Sequence, residues 1–156
     1  MQSGRILIMR HAEKSDDARD PNLSDVGRLR AQELVAYIPR TFGEPTFLFA
    51  SSESKHSRRP IETLEPLSDD LGLSIDVDFA DQDYGALAHE LLNNGRYENK
   101  LNIVCWHHGN IPSLAHALGL PDNTYPDPWD RSVFNLILAV MFANGVPSVQ
   151  EVTEPF

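Results

Sequence analysis

The sequence contains little cysteine, little positive charge and no long hydrophobic run. Cys105 is the single cysteine among 156 residues, which excludes a framework of intramolecular disulfides, and we expect it to be a small buried apolar residue. The only apolar segment near the start, residues 5–9, is too short for a signal-peptide core or a membrane span. We therefore expect a soluble, cytoplasmic protein.

Basic residues are outnumbered, with 13 lysines and arginines against 23 aspartates and glutamates, and the formal net charge is −10. This balance argues against nucleic acid or an anionic membrane as the main partner. Any anionic ligand must then be bound by a local cluster of basic residues. Such a cluster is effective because charges interact strongly only within a Debye length of about 10 Å.

The alternation of strand-like and helix-like segments indicates the fold class. A length of 156 residues with 41% apolar content, without repeats or linkers, predicts a single domain over residues 1–156. Hydrophobic periodicity predicts strands at 5–9, 46–50, 75–79 and 101–106, helices at about 25–39, 59–71, 85–93 and 111–118, and a closing antiparallel pair at 133–142 and 146–152. This order predicts an α/β three-layer sandwich, with a mostly parallel central sheet and helices on both faces.

Chemistry-bearing residues follow three of the predicted strands. Arg10-His11 ends the first strand, a loop leading to Arg59 follows the second, and His107-His108 follows the strand at 101–106. Sites in such sheets lie beyond the carboxyl ends of the strands, so these groups should meet. Arginine binds phosphate through bidentate hydrogen bonds, and a neutral imidazole held beside arginines can attack phosphorus. The set therefore indicates phosphoryl transfer through a phosphohistidine.

Five short motifs, in order, resemble signatures of the histidine phosphatase superfamily, which has the phosphoglycerate-mutase-like fold. They are Arg10-His11-Ala12, Leu23-Ser24-Asp25-Val26-Gly27, Ala50-Ser51-Ser52, Arg59-Pro60-Ile61-Glu62-Thr63 and His108-Gly109-Asn110. The resemblance extends from residue 5 to about residue 120. It is the order of the motifs, each at the predicted end of the right element, that makes the match specific.

The resemblance implies a role for each matched residue. His11 would be the nucleophile that becomes phosphorylated, and Arg10 and Arg59 would hold the phosphoryl oxygens. His108 would donate to those oxygens and stabilise the transition state, and Asn110 would join the phosphate-binding set. The resemblance implies no metal and no other cofactor.

The two adjacent histidines need to be distinguished. Consecutive side chains on a strand point to opposite faces, so only one of the two should face the phosphate. The neighbouring Gly109 favours His108, and strand alternation then predicts His107 to be a packed strand residue. The alternative is that His107 supports a residue of the site without itself contacting the phosphate.

The general acid is a further expectation from the resemblance. The segment at 79–85 is similar to the element that carries a glutamate acid in mutase-like members, which places Asp81 at or near that position. Asp83 is the fallback, and some small phosphohistidine phosphatases lack the acid. Two other departures are Ala12, where glycine is commoner, and Glu62, where glutamine is common and a charge near the pocket would disfavour an anion.

These observations predict a phosphomonoester hydrolase acting through phospho-His11 on a phosphorylated small molecule or phosphoprotein. A phosphohistidine or phosphoprotein phosphatase, a phosphoglycerate-mutase-type phosphotransferase, and a non-catalytic phosphate-binding module are the alternatives. A metal site built from Asp81, Asp83, His107 and His108 has no supporting ligand spacing. The natural substrate and the oligomeric state do not follow from the sequence.

Overall fold

Six strands and four helices make up the protein, and the structure, a computed structural model, describes residues 1–156. The strands are β1 (Gly4–Arg10), β2 (Phe47–Ala50), β3 (Ile75–Asp76), β4 (Leu101–Trp106), β5 (Leu136–Ala143) and β6 (Val146–Thr153). The helices are α1 (Asp25–Phe42), α2 (Arg59–Leu71), α3 (Tyr84–Asn93) and α4 (Ile111–Ala117). Two 3₁₀ turns lie at Asp81–Asp83 and Gly95–Tyr97. No helix combines the length and the apolar character that crossing a membrane requires.

All six strands join one sheet in the order β3-β2-β4-β1-β5-β6. The first four strands in this order pair in parallel, while β5 pairs antiparallel with both β1 and β6. Strand β1 pairs with β4 so that Arg10 lies opposite Trp106. The carboxyl ends of the two central strands therefore open at one edge of the sheet, as the sequence predicts.

Two apolar cores lie on opposite faces of the sheet. On one face, α1 and α2 cover alternate strand residues such as Leu7 and Met9. On the other face, α3 and α4 cover Ile6 and Ile8 and the buried Trp106. Burial on both faces explains why β1 is continuously apolar, and the predicted three-layer sandwich with a mostly parallel centre is confirmed.

Some predicted details are wrong. Helix α1 continues past Pro39 to Phe42: the proline gives up one backbone hydrogen bond, and the helix ends within a turn of it, where the Gly43 amide donates to the Pro39 carbonyl. Helical periodicity in the sequence predicts Leu29 in an apolar stripe of α1 together with Leu34 and Ile38, but Leu29 is 62% exposed. The strand predicted at 75–79 stops at Asp76, because its carboxylate accepts a hydrogen bond from the Asp78 amide at 2.9 Å and turns the chain away from the sheet.

Candidate active site

A polar cavity of about 590 Å³ lies at the carboxyl ends of β1, β2 and β4. Ala80 is the one hydrophobic residue in its wall. The cavity is lined by Arg10, His11, Lys14, Ser52, Glu53, Ser54, His56, Ser57, Arg59, Ala80, Asp81, Gln82, His107, His108 and Gly109. The structure thus brings together every predicted site residue except Asn110.

His11 follows the last residue of β1 and is 2% exposed. Its backbone amide donates to the Trp106 carbonyl at 3.0 Å, which extends the strand pairing by one residue. Its Nδ1 lies 2.7 Å from the Ala12 carbonyl oxygen. Because a carbonyl can only accept, Nδ1 carries the proton and Nε2 keeps its lone pair. Burial, together with the nearby charge of Arg10 and Arg59, lowers the pKa of His11 to about 3, so its ring is neutral at physiological pH.

The first turn of α1 fixes the segment that follows His11. Ser24 caps the helix by accepting from the Gly27 amide at 3.1 Å, and its backbone amide donates to the Glu13 carbonyl at 3.0 Å. A Cβ on Gly27 would lie 2.2 Å from that same Glu13 oxygen. Glycine is therefore required at position 27, where α1 packs against this segment. This requirement explains the glycine at the end of the motif at 23–27.

Arg10 is buried at the end of β1 and is held by a distant connection. Its Nη1 donates to the carbonyls of Arg131 at 2.6 Å and Val133 at 3.3 Å, and its guanidinium carbon lies 3.8 Å from the centre of the Phe134 ring. Its Nε is buried without a hydrogen-bond partner in the protein. Burial and the charge of Arg59 lower the pKa of Arg10 to about 10, so it stays protonated at neutral pH.

Arg59 begins α2 and approaches the cavity from the other side. Its Nη2 donates to the Asp20 carbonyl at 2.6 Å and its Nε to the Asn22 carbonyl at 3.3 Å. One turn later, the hydroxyl of Thr63 donates to the Arg59 carbonyl and accepts from the Ala12 amide at 2.9 Å. Helix α2 is thereby attached to the residue next to His11. Burial lowers the pKa of Arg59 from its ordinary value.

His107, rather than His108, is the histidine packed against His11. The ring centroids of His107 and His11 are 5.3 Å apart in an edge-to-face arrangement. Both His107 and His108 line the cavity. The prediction that His107 is a packed strand residue is wrong, because β4 ends at Trp106 and strand alternation does not extend into the turn that follows. Burial and the charges of Arg59 and Arg10 lower the pKa of His107 to about 4.

His108 lies further out, half-buried in the same cavity wall. Its pKa is also lowered, first by burial and then by the charges of Arg10, Lys14 and Arg131. Its position is compatible with the predicted contact to a phosphoryl group, which remains a prediction.

Asp81 is the acidic residue of the 79–85 segment that reaches the cavity, whereas Asp83 is exposed outside it. Burial raises the pKa of Asp81, and a hydrogen bond from Asn110 partly opposes this rise. Asn110 does not line the cavity as the resemblance implied: its side-chain amide donates to Asp81 Oδ2 at 3.0 Å. Asn110 lies just before α4, where the turn directs its side chain to Asp81.

Ala12 and Glu62 are the two other positions at which the chain departs from the family pattern. Ala12 is fully buried, and its backbone serves both His11 and Thr63. Glu62 does not line the cavity: its Oε1 accepts from the Leu23 amide at 2.9 Å. Its charge is thus used to hold the start of α1 instead of facing a bound anion.

The environment of Arg10 is the part of the site that the sequence analysis missed. Phe134 and the carbonyls of Arg131 and Val133 come from a connection about 120 residues along the chain, and backbone carbonyls leave no signature in a sequence. The buried Cys105 is confirmed as a packed residue, and burial raises the pKa of its thiol. No group of three or more His, Cys, Asp or Glu side chains comes together in a way that could hold a metal ion.

No protein-family model matches the sequence, and no curated protein matches it significantly. Solved structures do match over nearly the whole chain. The protein histidine phosphatase SixA, in a complex with tungstate, superposes with a TM-score of 0.69 at 20% identity, covering 96% of both chains. A mycobacterial glucosyl-3-phosphoglycerate phosphatase gives 0.64 at 16% identity over 97% of this chain and 98% of its own. The phosphoglycerate mutase of Plasmodium falciparum gives 0.65 at 15% identity over 97% and 91%.

The chain has the histidine phosphatase fold. This fold, also called phosphoglycerate-mutase-like, is the one that the five sequence motifs led us to expect. Within the histidine phosphatase fold of this chain, the motif residues His11, Arg10 and Arg59 converge on one cavity, and His107 and Asp81 complete its wall.

Proposed function

We propose that this protein is a phosphomonoester hydrolase that works without a metal through a phosphohistidine intermediate on His11. The observation that carries the proposal is the state of the His11 ring: Nδ1 is committed to the Ala12 carbonyl, and burial keeps the ring neutral. A neutral imidazole with a free Nε2, placed between two arginines, is suited to attack phosphorus.

In the first step, His11 Nε2 attacks the phosphorus atom and forms an N–P bond while the bond from phosphorus to the leaving oxygen breaks. Arg10 and Arg59 hold the non-bridging oxygens, and His107 or His108 adds a donor as charge moves onto them. The unpartnered Nε of Arg10 supports this assignment, because a buried N–H of an arginine needs an acceptor such as a phosphoryl oxygen. Asp81, in its protonated form, gives its proton to the leaving oxygen.

In the second step, a water molecule attacks the phosphorus and transfers a proton to the Asp81 carboxylate. The N–P bond breaks, and its electron pair returns to His11 Nε2. The products are inorganic phosphate and the free enzyme with Asp81 protonated again. The raised pKa of Asp81 favours this cycle, since the group must hold a proton in one step and accept one in the next.

A second candidate is a phosphoprotein or phosphohistidine phosphatase. A further cavity of about 710 Å³, which shares His108 and Gly109 with the first, lies beside the site and is lined by residues 127–131. Two adjoining cavities provide room for a leaving group larger than a small metabolite. The structural similarity to the protein histidine phosphatase SixA points the same way.

The test is hydrolysis of an aryl phosphate in EDTA by the wild type, His11→Ala and, as a matched control, His89→Ala, which alters an exposed histidine on α3. Acid-labile, alkali-stable phosphoenzyme is trapped by rapid quench. We expect turnover and phosphoenzyme in the wild type and the control, and neither in His11→Ala. Turnover that is lost in EDTA, or that survives in His11→Ala, would overturn the proposal.

The two substrate classes are separated by a direct comparison. The wild type is given p-nitrophenyl phosphate and, separately, a protein domain phosphorylated on histidine. A much higher kcat/KM for the phosphorylated domain supports the second candidate. Similar or lower values support small phosphomonoesters. Transfer of phosphate to an added alcohol or phosphoglycerate in place of water would instead indicate a phosphotransferase.

A further inference from the structure

We infer that Asn110 is a positioning residue that fixes which oxygen of Asp81 carries the proton delivered to the leaving group. The inference rests on the proposed function and goes beyond it, since it assigns an atom-level role to a side chain outside the cavity. It depends on three contacts between the end of β4, the start of α4 and the 3₁₀ turn that begins at Asp81.

Asn110 is the residue immediately before α4. An asparagine at this position usually caps the helix by accepting from a backbone amide of the first turn. In this protein Asn110 makes no such capping bond. Its side-chain Nδ2 donates instead to Asp81 Oδ2 at 3.0 Å and to the Asp81 backbone carbonyl at 3.3 Å. The residue is thus withdrawn from its ordinary role and attached to Asp81 at two points.

The backbone of Asp81 is held from a third direction. The indole Nε1 of the fully buried Trp106 donates to the Asp81 carbonyl at 3.0 Å. Trp106 is the last residue of β4 and pairs with Arg10 in the sheet. Strand β4, which is followed by His107 and His108, therefore also sets the position of the Asp81 backbone. Asn110 sets the orientation of the Asp81 carboxyl group.

The chemistry of an amide donor decides the protonation site. Because Nδ2 of Asn110 can only donate, Asp81 Oδ2 must be an acceptor in both the neutral and the charged form of the acid. In the neutral acid the carbonyl oxygen is the stronger acceptor, so the contact with Asn110 favours the hydroxyl hydrogen on Oδ1. Asp81 Oδ1 is shielded from solvent and has no hydrogen-bond partner in the protein, and the residue lines the cavity. A hydroxyl on Oδ1 therefore has no acceptor within the protein. A small displacement of the Asp81 side chain brings Oδ1 to the leaving oxygen of a bound substrate, where it gives its proton, and then to the attacking water, from which it takes one.

The same contact adjusts the acidity of Asp81. Burial raises its pKa, and the hydrogen bond from Asn110 opposes the rise because it stabilises the carboxylate. His108 acts in the same direction as Asn110 through its charge. Removing the amide donor should therefore raise the pKa of Asp81 and also allow its carboxyl group to rotate.

The experiment measures kcat/KM for a series of aryl phosphates whose leaving groups differ in pKa, from p-nitrophenol to phenol, at several pH values. The proteins are the wild type, Asp81→Asn, Asn110→Ala, the near-isosteric Asn110→Asp, and Asp83→Asn as the control for an exposed neighbour. Good leaving groups need little protonation, whereas phenol depends on the acid. A general acid therefore makes kcat/KM less sensitive to the leaving-group pKa.

We expect Asp81→Asn to lower kcat/KM for phenyl phosphate by roughly 100-fold or more, with a much smaller loss for p-nitrophenyl phosphate. Asn110→Ala should show the same selective loss at roughly tenfold. In Asn110→Ala the high-pH fall in activity should move to higher pH. It should move further in Asn110→Asp, because a second carboxylate disfavours ionisation of Asp81. Asp83→Asn should match the wild type.

The outcomes separate this inference from the proposed function. If the wild type forms no phosphoenzyme, the proposed function itself is wrong. If the wild type is active and Asp81→Asn steepens the leaving-group dependence, but both Asn110 variants keep the wild-type dependence and pH profile, Asn110 has no positioning role. If Asp81→Asn has no selective effect, the proton donor is another group and the inference is equally overturned.

Discussion

The buried, neutral state of His11 makes the stability of the protein depend on pH in a way that one substitution should remove. The pKa of His11 is about 3 in the folded protein, against an ordinary value of 6.5. A histidine whose pKa is depressed by folding binds fewer protons in the folded state than in the unfolded state at acidic pH. Its contribution to stability is therefore intact above pH 6.5 and is lost progressively as the pH falls towards 3.

The magnitude follows from the two pKa values. Between pH 7 and pH 5 this histidine becomes protonated in the unfolded chain but not in the folded protein. The free energy of unfolding should therefore fall by 1.36 kcal/mol for each of about 1.5 pH units, or by about 2 kcal/mol. Because His11 is 2% exposed, solvent screening reduces this figure little. His11→Asn should remove the effect, since an amide does not titrate and can still donate to the Ala12 carbonyl.

The assay is urea unfolding of the wild type and His11→Asn at pH 7 and pH 5, with free energies of unfolding from linear extrapolation. The wild type should lose about 2 kcal/mol more than the variant. Other titrating groups cancel in this comparison. Glu154, for example, has a pKa raised to about 7 by burial and so contributes with the opposite sign, but it does so in both proteins. Equal losses in the two proteins would refute the reasoning about His11.

Three further predictions concern the surroundings of His11. Gly27→Ala should destabilise the protein by roughly 1–3 kcal/mol, because the new Cβ would lie 2.2 Å from a backbone oxygen. The control Gly85→Ala, in the open first turn of α3, should be neutral or stabilising by up to about 1 kcal/mol. Ser24→Ala should cost about 1 kcal/mol through loss of the helix cap, while Ser24→Asp should retain most of the stability. Arg59→Lys should lower kcat/KM for an aryl phosphate at least roughly tenfold, because an ammonium cannot reproduce the bidentate fork.

Each of these predictions has a clear contrary result. Chemical denaturation measures the glycine and serine variants. Equal effects of alanine at positions 27 and 85 would mean that α1 does not press on the nucleophile segment. An unaltered midpoint in Ser24→Ala would show that the cap is dispensable. Steady-state kinetics measures Arg59→Lys, and an unchanged kcat/KM would remove Arg59 from the phosphate-binding set.

The parts of the fold that local chemistry determines were predicted well. The bounds of α2 follow from Pro60, which is tolerated in a first turn, and Gly72, which ends the helix in a left-handed conformation, and the structure has the same bounds. The convergence of Arg10, His11 and Arg59 was predicted because parallel strands open at one edge of a sheet. These inferences need only the order of the elements and the residues at their ends.

The parts that were missed depend on where an element stops and on contacts between distant segments. His107 was misplaced because the alternation argument was carried one residue beyond the end of β4. The motif that contains Asn110 predicts a contact with phosphate, whereas its partner Asp81 lies 29 residues earlier in the chain. Neither error could be corrected from spacing alone, since both side chains are directed by the geometry of the turn at 107–110.

Arginine, rather than lysine, suits positions 10 and 59 because each guanidinium must do two tasks. A guanidinium has five N–H donors in a fixed plane. Arg10 uses Nη1 for the carbonyls of Arg131 and Val133, and Arg59 uses Nη2 and Nε for those of Asp20 and Asn22. Each side chain still has donors left for phosphoryl oxygens. The two loops, at residues 20–22 and 131–133, are thus bonded to the groups proposed to bind phosphate. A sequence change in either loop that shifts its backbone should therefore alter phosphate affinity as well as the choice of leaving group.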